Sequence, residues 1–291
     1  MPIPKAVCLL FLLFVLCDTP CQAEQLNLGS GEFTFVDPEG NPDRPIRVFY
    51  YCPRRINRDS SVVFVIHGKN RNADGYRDTW IKYAEQKNLL VLCPQFSREH
   101  YPNSRHFNLG YMFSSKGELR DKKKWSFYAI ERIFDQVVED NRLKAKQYSI
   151  YGHSGGGQFV HRMVLFLPEA RFNLAIAANP GWYTMPQLDI AHPYGLENTE
   201  VDSDQLKKAF GRRFGLLLGG ADTDPNHESL RKTPEAMQQG PHRLSRGQEY
   251  FRQSRALAKQ LRTKFKWQIA IVPGAGHSNS KMSAAAARII R

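Results

Sequence analysis

One serine stands between glycines in Gly152-His153-Ser154-Gly155-Gly156, after an apolar run and before a helix-like one. In that context Gly-x-Ser-x-Gly predicts a sharp strand-to-helix turn, and the glycines give its backbone room. Such a turn leaves the Ser154 hydroxyl exposed at the carboxyl end of a sheet, with the first amides of the helix aimed at whatever binds there. The five residues alone are a weak signal, because a glycine-rich turn with an idle serine fits them equally. A serine hydroxyl attacks an acyl carbon only when a base takes its proton and an acid orients that base. Asp222 and Asp224 follow the apolar run at 214–218, and His277 follows the one at 267–272. Serine, acid and histidine, each just past a strand end, form a joint pattern that a chain without this chemistry would rarely carry. Loop position favours Asp222 as the acid, while Asp224 before Pro225 suits a turn and stands as the alternative.

The same chemistry needs donors for a developing oxyanion. The run at 62–66 ends in His67-Gly68-Lys69-Asn70. The backbone amides of Lys69 and Gly155 are the expected donors, with Gly68 allowing close approach and His67 holding the loop. Competing sites are poor. The nine histidines include no pair at metal-ligand spacing beside acids, so no metal is expected. Gly155-Gly156-Gly157 is not followed by Lys-Ser or Lys-Thr, which excludes a phosphate-binding loop.

These residues require a particular scaffold. Strand-like runs occupy 33–36, 46–52, 62–66, 89–93, 147–152, 173–179, 214–218 and 267–272. Helical patterns fall at 74–86, 126–140, 156–167 and 247–262. In the second helix Phe127, Ile130, Phe134, Val137 and Val138 share one face at helical spacing. Short continuous apolar strands alternating with helices predict an α/β fold, a largely parallel sheet covered on both faces. Two opening strands without a helix between them suggest an antiparallel start. Two segments, 94–124 and 182–213, read as long irregular loops, which usually carry function. Both follow strands at the carboxyl edge and are rich in rings, so Tyr111, Phe113, Trp182 and Tyr183 are the expected walls of an apolar acyl or aryl pocket. The alternative for Trp182 is that it only packs its loop down.

Taken together, the chain resembles the α/β-hydrolase superfamily over essentially its whole length after residue 23. The segments 67–78, 152–157, 179–186, 219–227 and 274–278 are most similar to secreted serine esterases grouped near polyhydroxyalkanoate depolymerases and feruloyl esterases. The resemblance implies an eight-stranded sheet in the order 1-2-4-3-5-6-7-8 with the second strand antiparallel, and a serine hydrolase without metal or organic cofactor. It also implies that Cys52 and Cys93 end oppositely directed strands, beyond bridging distance, as free buried thiols.

Lys5, an apolar run over 6–16 and a small residue at Ala23 describe a secretory signal peptide over residues 1–23, leaving one catalytic domain over 24–291 that is secreted or periplasmic. The apolar run is too short for a lasting anchor. The chain of 291 residues has a formal charge of +13, which favours anionic surfaces or polymers. No zinc-finger spacing or aromatic RNA-binding signature accompanies that charge, so a dedicated nucleic-acid function is not expected. The leading expectation is carboxylic-ester hydrolysis of a small or polymeric ester through an acyl-enzyme. A peptidase or amidase with the same machinery is the first alternative. A non-catalytic binding protein of the same fold is the second, although such proteins usually lose one of the three residues.

Overall fold

A computed structural model describes residues 25–291; the expected signal peptide lies outside them. Eight strands form one sheet: β1 (Gly29–Phe35), β2 (Ile46–Cys52), β3 (Ser61–Ile66), β4 (Leu89–Gln95), β5 (Tyr148–His153), β6 (Phe172–Ala178), β7 (Phe214–Gly219) and β8 (Trp267–Val272). Their order is β1-β2-β4-β3-β5-β6-β7-β8. Only β2 runs against its neighbours, pairing antiparallel with both β1 and β4. From β4 onward every pairing is parallel. The order and the antiparallel second strand are those expected.

The described residues also form seven α-helices: α1 (Ala73–Lys87), α2 (Ser126–Asp140), α3 (Gly155–Phe166), α4 (Ser203–Phe210), α5 (Pro234–Gln238), α6 (Arg243–Gln260) and α7 (Asn279–Ile289). Side chains alternate across a strand, so β3 serves two cores at once. Val62, Phe64 and Ile66 join one with Phe127, Ile130, Phe159, Leu206 and Tyr250. Val63 and Val65 join the other with Tyr76, Trp80, Ala84, Met282 and Ala286. Helices α2, α3, α4 and α6 therefore lie on one face, and α1 and α7 on the other.

Several elements differ from expectation. The segment 182–213 is not irregular throughout, because Asp202 caps α4 by accepting from the Gln205 amide and Leu206, Ala209 and Phe210 bury one side of it. Helix α6 begins at Arg243, where a His242 and Ser245 capping box starts it, four residues ahead of the start expected at Gly247. Helices α5 and α7 have no counterpart among the expected helices. The two thiols behave as the topology requires. Phe49 faces Cys93 across the β2–β4 pair, and Cys52 lies three residues further along, about 10 Å away. The two also point into different cores; both are free and buried.

Candidate active site

The carboxyl ends of β3, β5, β6, β7 and β8 converge on Ser154. Between β5 and α3 its backbone turns at φ 58° and ψ −115°, a region that side-chain-bearing residues rarely adopt. The turn is held on both sides: the Ser154 amide donates to Ala178 O at 2.9 Å, and its carbonyl accepts from the Gln158 amide at 3.0 Å. The glycines are needed for close approach. A Cβ on Gly152 would collide with the Gly156 carbonyl, and one on Gly156 with the carbonyl of Ile66.

His277, between β8 and α7, places Nε2 2.9 Å from Ser154 Oγ. Its Nδ1 lies 2.8 Å from Asp222 Oδ2. A carboxylate only accepts, so Nδ1 carries the proton and Nε2 is left to accept from the serine hydroxyl. Asp222 is buried, and its other oxygen accepts from Arg243 Nη1 at 3.1 Å. Burial alone would push its carboxyl up, but the His277 hydrogen bond and the charges of His277 and Arg243 outweigh it and hold the group below its ordinary value. Burial lowers the His277 imidazole; the Asp222 hydrogen bond opposes this, and the Arg243 charge adds to the lowering. Asp224 stays exposed and accepts from the Asn226 amide at 2.8 Å, closing a turn. The structure thus brings Ser154, His277 and Asp222 together and leaves Asp224 apart.

Lys69 follows β3, and its amide nitrogen lies 3.3 Å from where a Cβ of Gly155 would stand. As the first residue of α3, Gly155 has an amide with no partner inside the helix. Fully buried His67 pins this loop: Nδ1 donates to Gly68 O at 2.9 Å, and Nε2 accepts from the Phe96 amide at 3.0 Å. Burial, then the Arg71 charge, hold that imidazole down at about 3, so it stays neutral.

Two cavities meet at Ser154. One, of about 420 Å³, contains Gly155, Phe107, Asn108 and Trp182; the other, of about 290 Å³, contains His277, His153 and Tyr76. Lys69, Glu228 and Ser229 border both. Of the four rings expected to line a pocket, only Trp182 does so, and it is itself buried against Tyr194 with ring centres 4.9 Å apart. Tyr183 sits behind it, stacked on Tyr250 at 4.5 Å. Tyr111 is covered by the Arg120 guanidinium, 3.5 Å from its ring centre. Phe113 stacks on His192 at 4.7 Å. The cause is local. Phe113 pairs with Leu119, and the Arg120 amide returns to Met112 O at 2.7 Å. This folds 112–120 back on itself, so Phe107 and Asn108 reach the cavity instead.

Three supporting residues were not anticipated from the sequence. Asn179 at the end of β6 accepts from the Gly219 amide at 2.6 Å and donates to Gly276 O at 3.0 Å, tying the aspartate loop to the histidine loop. Its place in Asn179-Pro180-Gly181, just past a strand, was the available signal. Arg243 comes from the start of a helix whose limit lay elsewhere. His153 bonds Tyr76 Oη at 3.1 Å and sets its ring 4.8 Å from that of His277. Among the described residues no group of three His, Cys, Asp or Glu side chains could hold a metal ion, and no helix is long and apolar enough to cross a membrane.

Comparison with known proteins places this architecture. The poly(aspartic acid) hydrolase-1 of Sphingomonas sp. KT-1 superposes with a TM-score of 0.89 at 45% identity, over 91% of this chain and 99% of that one. The chain belongs to the esterase and depolymerase group of the α/β-hydrolases. A poly(3-hydroxybutyrate) depolymerase from Bordetella parapertussis matches this α/β-hydrolase at 34% identity and a TM-score of 0.86, over 90% of each chain. A ferulic acid esterase shares the fold at 13% identity and a TM-score of 0.55, over 91% of this chain and 97% of its own. A scan against protein-family models finds no match, and a search of curated proteins finds none. The chain is a hydrolase of this fold.

Proposed function

We propose that this α/β-hydrolase cleaves backbone acyl bonds in a carboxylate-bearing polymer, with an amide-linked chain such as poly(aspartic acid) as its substrate. The observation that carries the reading is the charge around the larger cavity: Lys69, Arg71, Arg98, Arg231 and Arg243 border it, against Glu228 as the one acid. Such a wall disfavours the purely apolar acyl group that the ring-rich loops suggested and suits an anion. The 45% identity to a poly(aspartic acid) hydrolase supports it. Phe107 and Trp182, together with the 34% identical polyester depolymerase, support a second reading, a polyester.

The chemistry follows from the hydrogen-bond chain. Ser154 Oγ attacks the acyl carbon while His277 Nε2 takes its proton, and Asp222 stabilises the imidazolium. The amides of Lys69 and Gly155 receive the oxyanion. His277 then returns the proton to the leaving nitrogen, the acyl bond breaks, and an acyl-Ser154 ester remains. Water, deprotonated by the same nitrogen, hydrolyses that ester and restores the serine. A polymer too large to enter a cell must be shortened outside it, which fits a secreted or periplasmic enzyme with a leader over residues 1–23.

Purified enzyme is expected to shorten poly(aspartic acid) on size-exclusion chromatography and to leave poly(3-hydroxybutyrate) suspensions turbid. Raising ionic strength from about 0.05 to 0.5 M should reduce kcat/KM several-fold, because the Debye length shrinks below the width of the site. Clearing of the polyester with poly(aspartic acid) left intact would favour the second reading and overturn the first.

The pH profile should carry the signature of His277. It acts as a base only when neutral, and its lowered pKa keeps it neutral to more acidic pH than a free imidazole. The acid limb of kcat/KM is therefore expected below about 6.5. A limb above that value would contradict the assignment of the base.

A further inference from the structure

The two cavities differ in charge as well as size. The one containing Gly155 also holds Arg71, Arg98, Arg231 and Arg243, whereas the one containing His277 holds Asn70, Asn72, Tyr76 and Asn279 and no arginine. Lys69 and Glu228 border both and pair across the boundary at 3.5 Å. Under the proposed function, on which this inference rests, the leaving half must lie toward the nitrogen that protonates it, His277 Nε2. The acyl half, its carbonyl oxygen at the Lys69 and Gly155 amides, then extends into the arginine-bearing cavity. The cations therefore face one side of the scissile bond.

Those four guanidiniums are not equally free to meet a ligand. Arg71 is buried and donates to Phe96 O at 2.9 Å and Tyr101 O at 3.1 Å. Arg243 is buried and committed to Asp222 and to Ser229 Oγ at 2.8 Å. Arg98 is exposed and tethered through a single bond to Lys69 O at 3.1 Å. Arg231 differs from all three. It is half-buried, and its Nε donates to Tyr194 Oη at 2.6 Å. Its guanidinium carbon stands 4.7 Å from the ring centre of Trp182 and 5.5 Å from that of Tyr194. The opposing rings are themselves fixed: Tyr194 Oη also bonds Thr233 Oγ1 at 2.6 Å, and the fully buried Arg162 stands 4.2 Å from the Trp182 ring centre. Neither terminal nitrogen of Arg231 has a protein acceptor, and no acid pairs with it, among the described residues.

Ring contact and the Nε bond hold the plane of this guanidinium while leaving its outer edge uncommitted. That edge is the fork that matches a carboxylate through two parallel hydrogen bonds. A cation partly withdrawn from water and not neutralised gains more from an incoming anion than a solvated one does. We propose that Arg231 is the receptor for a carboxylate carried on the acyl half of the substrate, so that charge is recognised on that side of the scissile bond and little on the other.

Matched esters test this. The p-nitrophenyl hemisuccinate and the p-nitrophenyl butyrate share a leaving group and differ by one acyl carboxylate. In the wild-type enzyme the hemisuccinate should have the larger kcat/KM. In Arg231→Gln the hemisuccinate-to-butyrate ratio should fall about 10- to 100-fold, the loss expected for a charge-assisted pair. Arg231→Lys should recover only part of it, because an ammonium lacks the fork. When the carboxylate is moved to the alcohol, with butyrate esters of 3-hydroxybenzoate and 3-hydroxybenzamide, the same substitution should change the ratio less than about twofold. A hemisuccinate preference that survives in Arg231→Gln overturns the receptor and leaves the anionic-substrate reading standing. A wild-type enzyme without that preference overturns the reading itself and the receptor with it. Because each readout is a ratio within one variant, partial unfolding cancels from it.

Discussion

Ser154→Ala is expected to slow turnover about a millionfold while leaving the fold and substrate binding in place. The hydroxyl makes one side-chain bond, to His277 at 2.9 Å, so its loss removes the proposed nucleophile and little packing. The backbone at this position adds a second readout. Ser154 holds a φ of 58° with a Cβ attached, a conformation that costs a side-chain-bearing residue about 1–3 kcal/mol and that glycine adopts freely. Ser154→Gly should therefore be as inactive as Ser154→Ala yet melt at a higher temperature. Steady-state kinetics on p-nitrophenyl hemisuccinate and a thermal melt separate the two effects. A Ser154→Ala protein retaining a tenth of wild-type kcat would remove Ser154 from the mechanism.

Much of this arrangement was legible because buried parallel strands leave a plain trace. Strands such as 62–66 and 89–93 are covered on both faces, so their sequences are continuous apolar runs whose ends can be read to within a residue or two. The positions that matter for the serine, the aspartate and the histidine sit at those ends. Helices were less readable where burial was slight. In α7, Asn279–Ile289, the inward face is built of Met282, Ser283, Ala286 and Ala287, too small and too mixed to stand out as a stripe. Helix α4 has eight residues and so few turns that its periodicity is hard to separate from a loop. The walls of the cavity were not legible for a different reason. Aromatic content marks a loop as packed but does not say against what. Tyr111 and Phe113 are turned aside by the local pairing of 112–120, while Phe107 and Asn108 reach the cavity from the same segment. Arg231 and Arg243 come from the 219–242 connection and the start of α6, and only tertiary folding brings them to Ser154.

Asp222→Asn should lower kcat about ten-thousandfold, and Arg243 is the reason the loss should be so complete. In the native protein both carboxylate oxygens accept, one from His277 Nδ1 and one from Arg243 Nη1. An asparagine has one acceptor oxygen and one donor NH₂ group, so it must choose which neighbour receives each. Arg243 has only donors and is buried, and turning an NH₂ group toward it would oppose two donors without water to relieve them. The amide oxygen therefore stays on Arg243 and the NH₂ group faces His277. That makes Nδ1 the acceptor and moves the imidazole proton to Nε2, where it blocks the nitrogen that must receive the proton of Ser154. Asp224→Asn has no such consequence. Its carboxylate is exposed and accepts one amide, from Asn226, a bond that an asparagine oxygen makes equally well. A change of that kind at the surface alters stability by about 0.5 kcal/mol or less, and kcat should stay close to the wild-type value. Paired kinetics of the two variants on one ester decide the matter: equal losses, or a larger loss for Asp224→Asn, would mean that the acid of the triad is not Asp222.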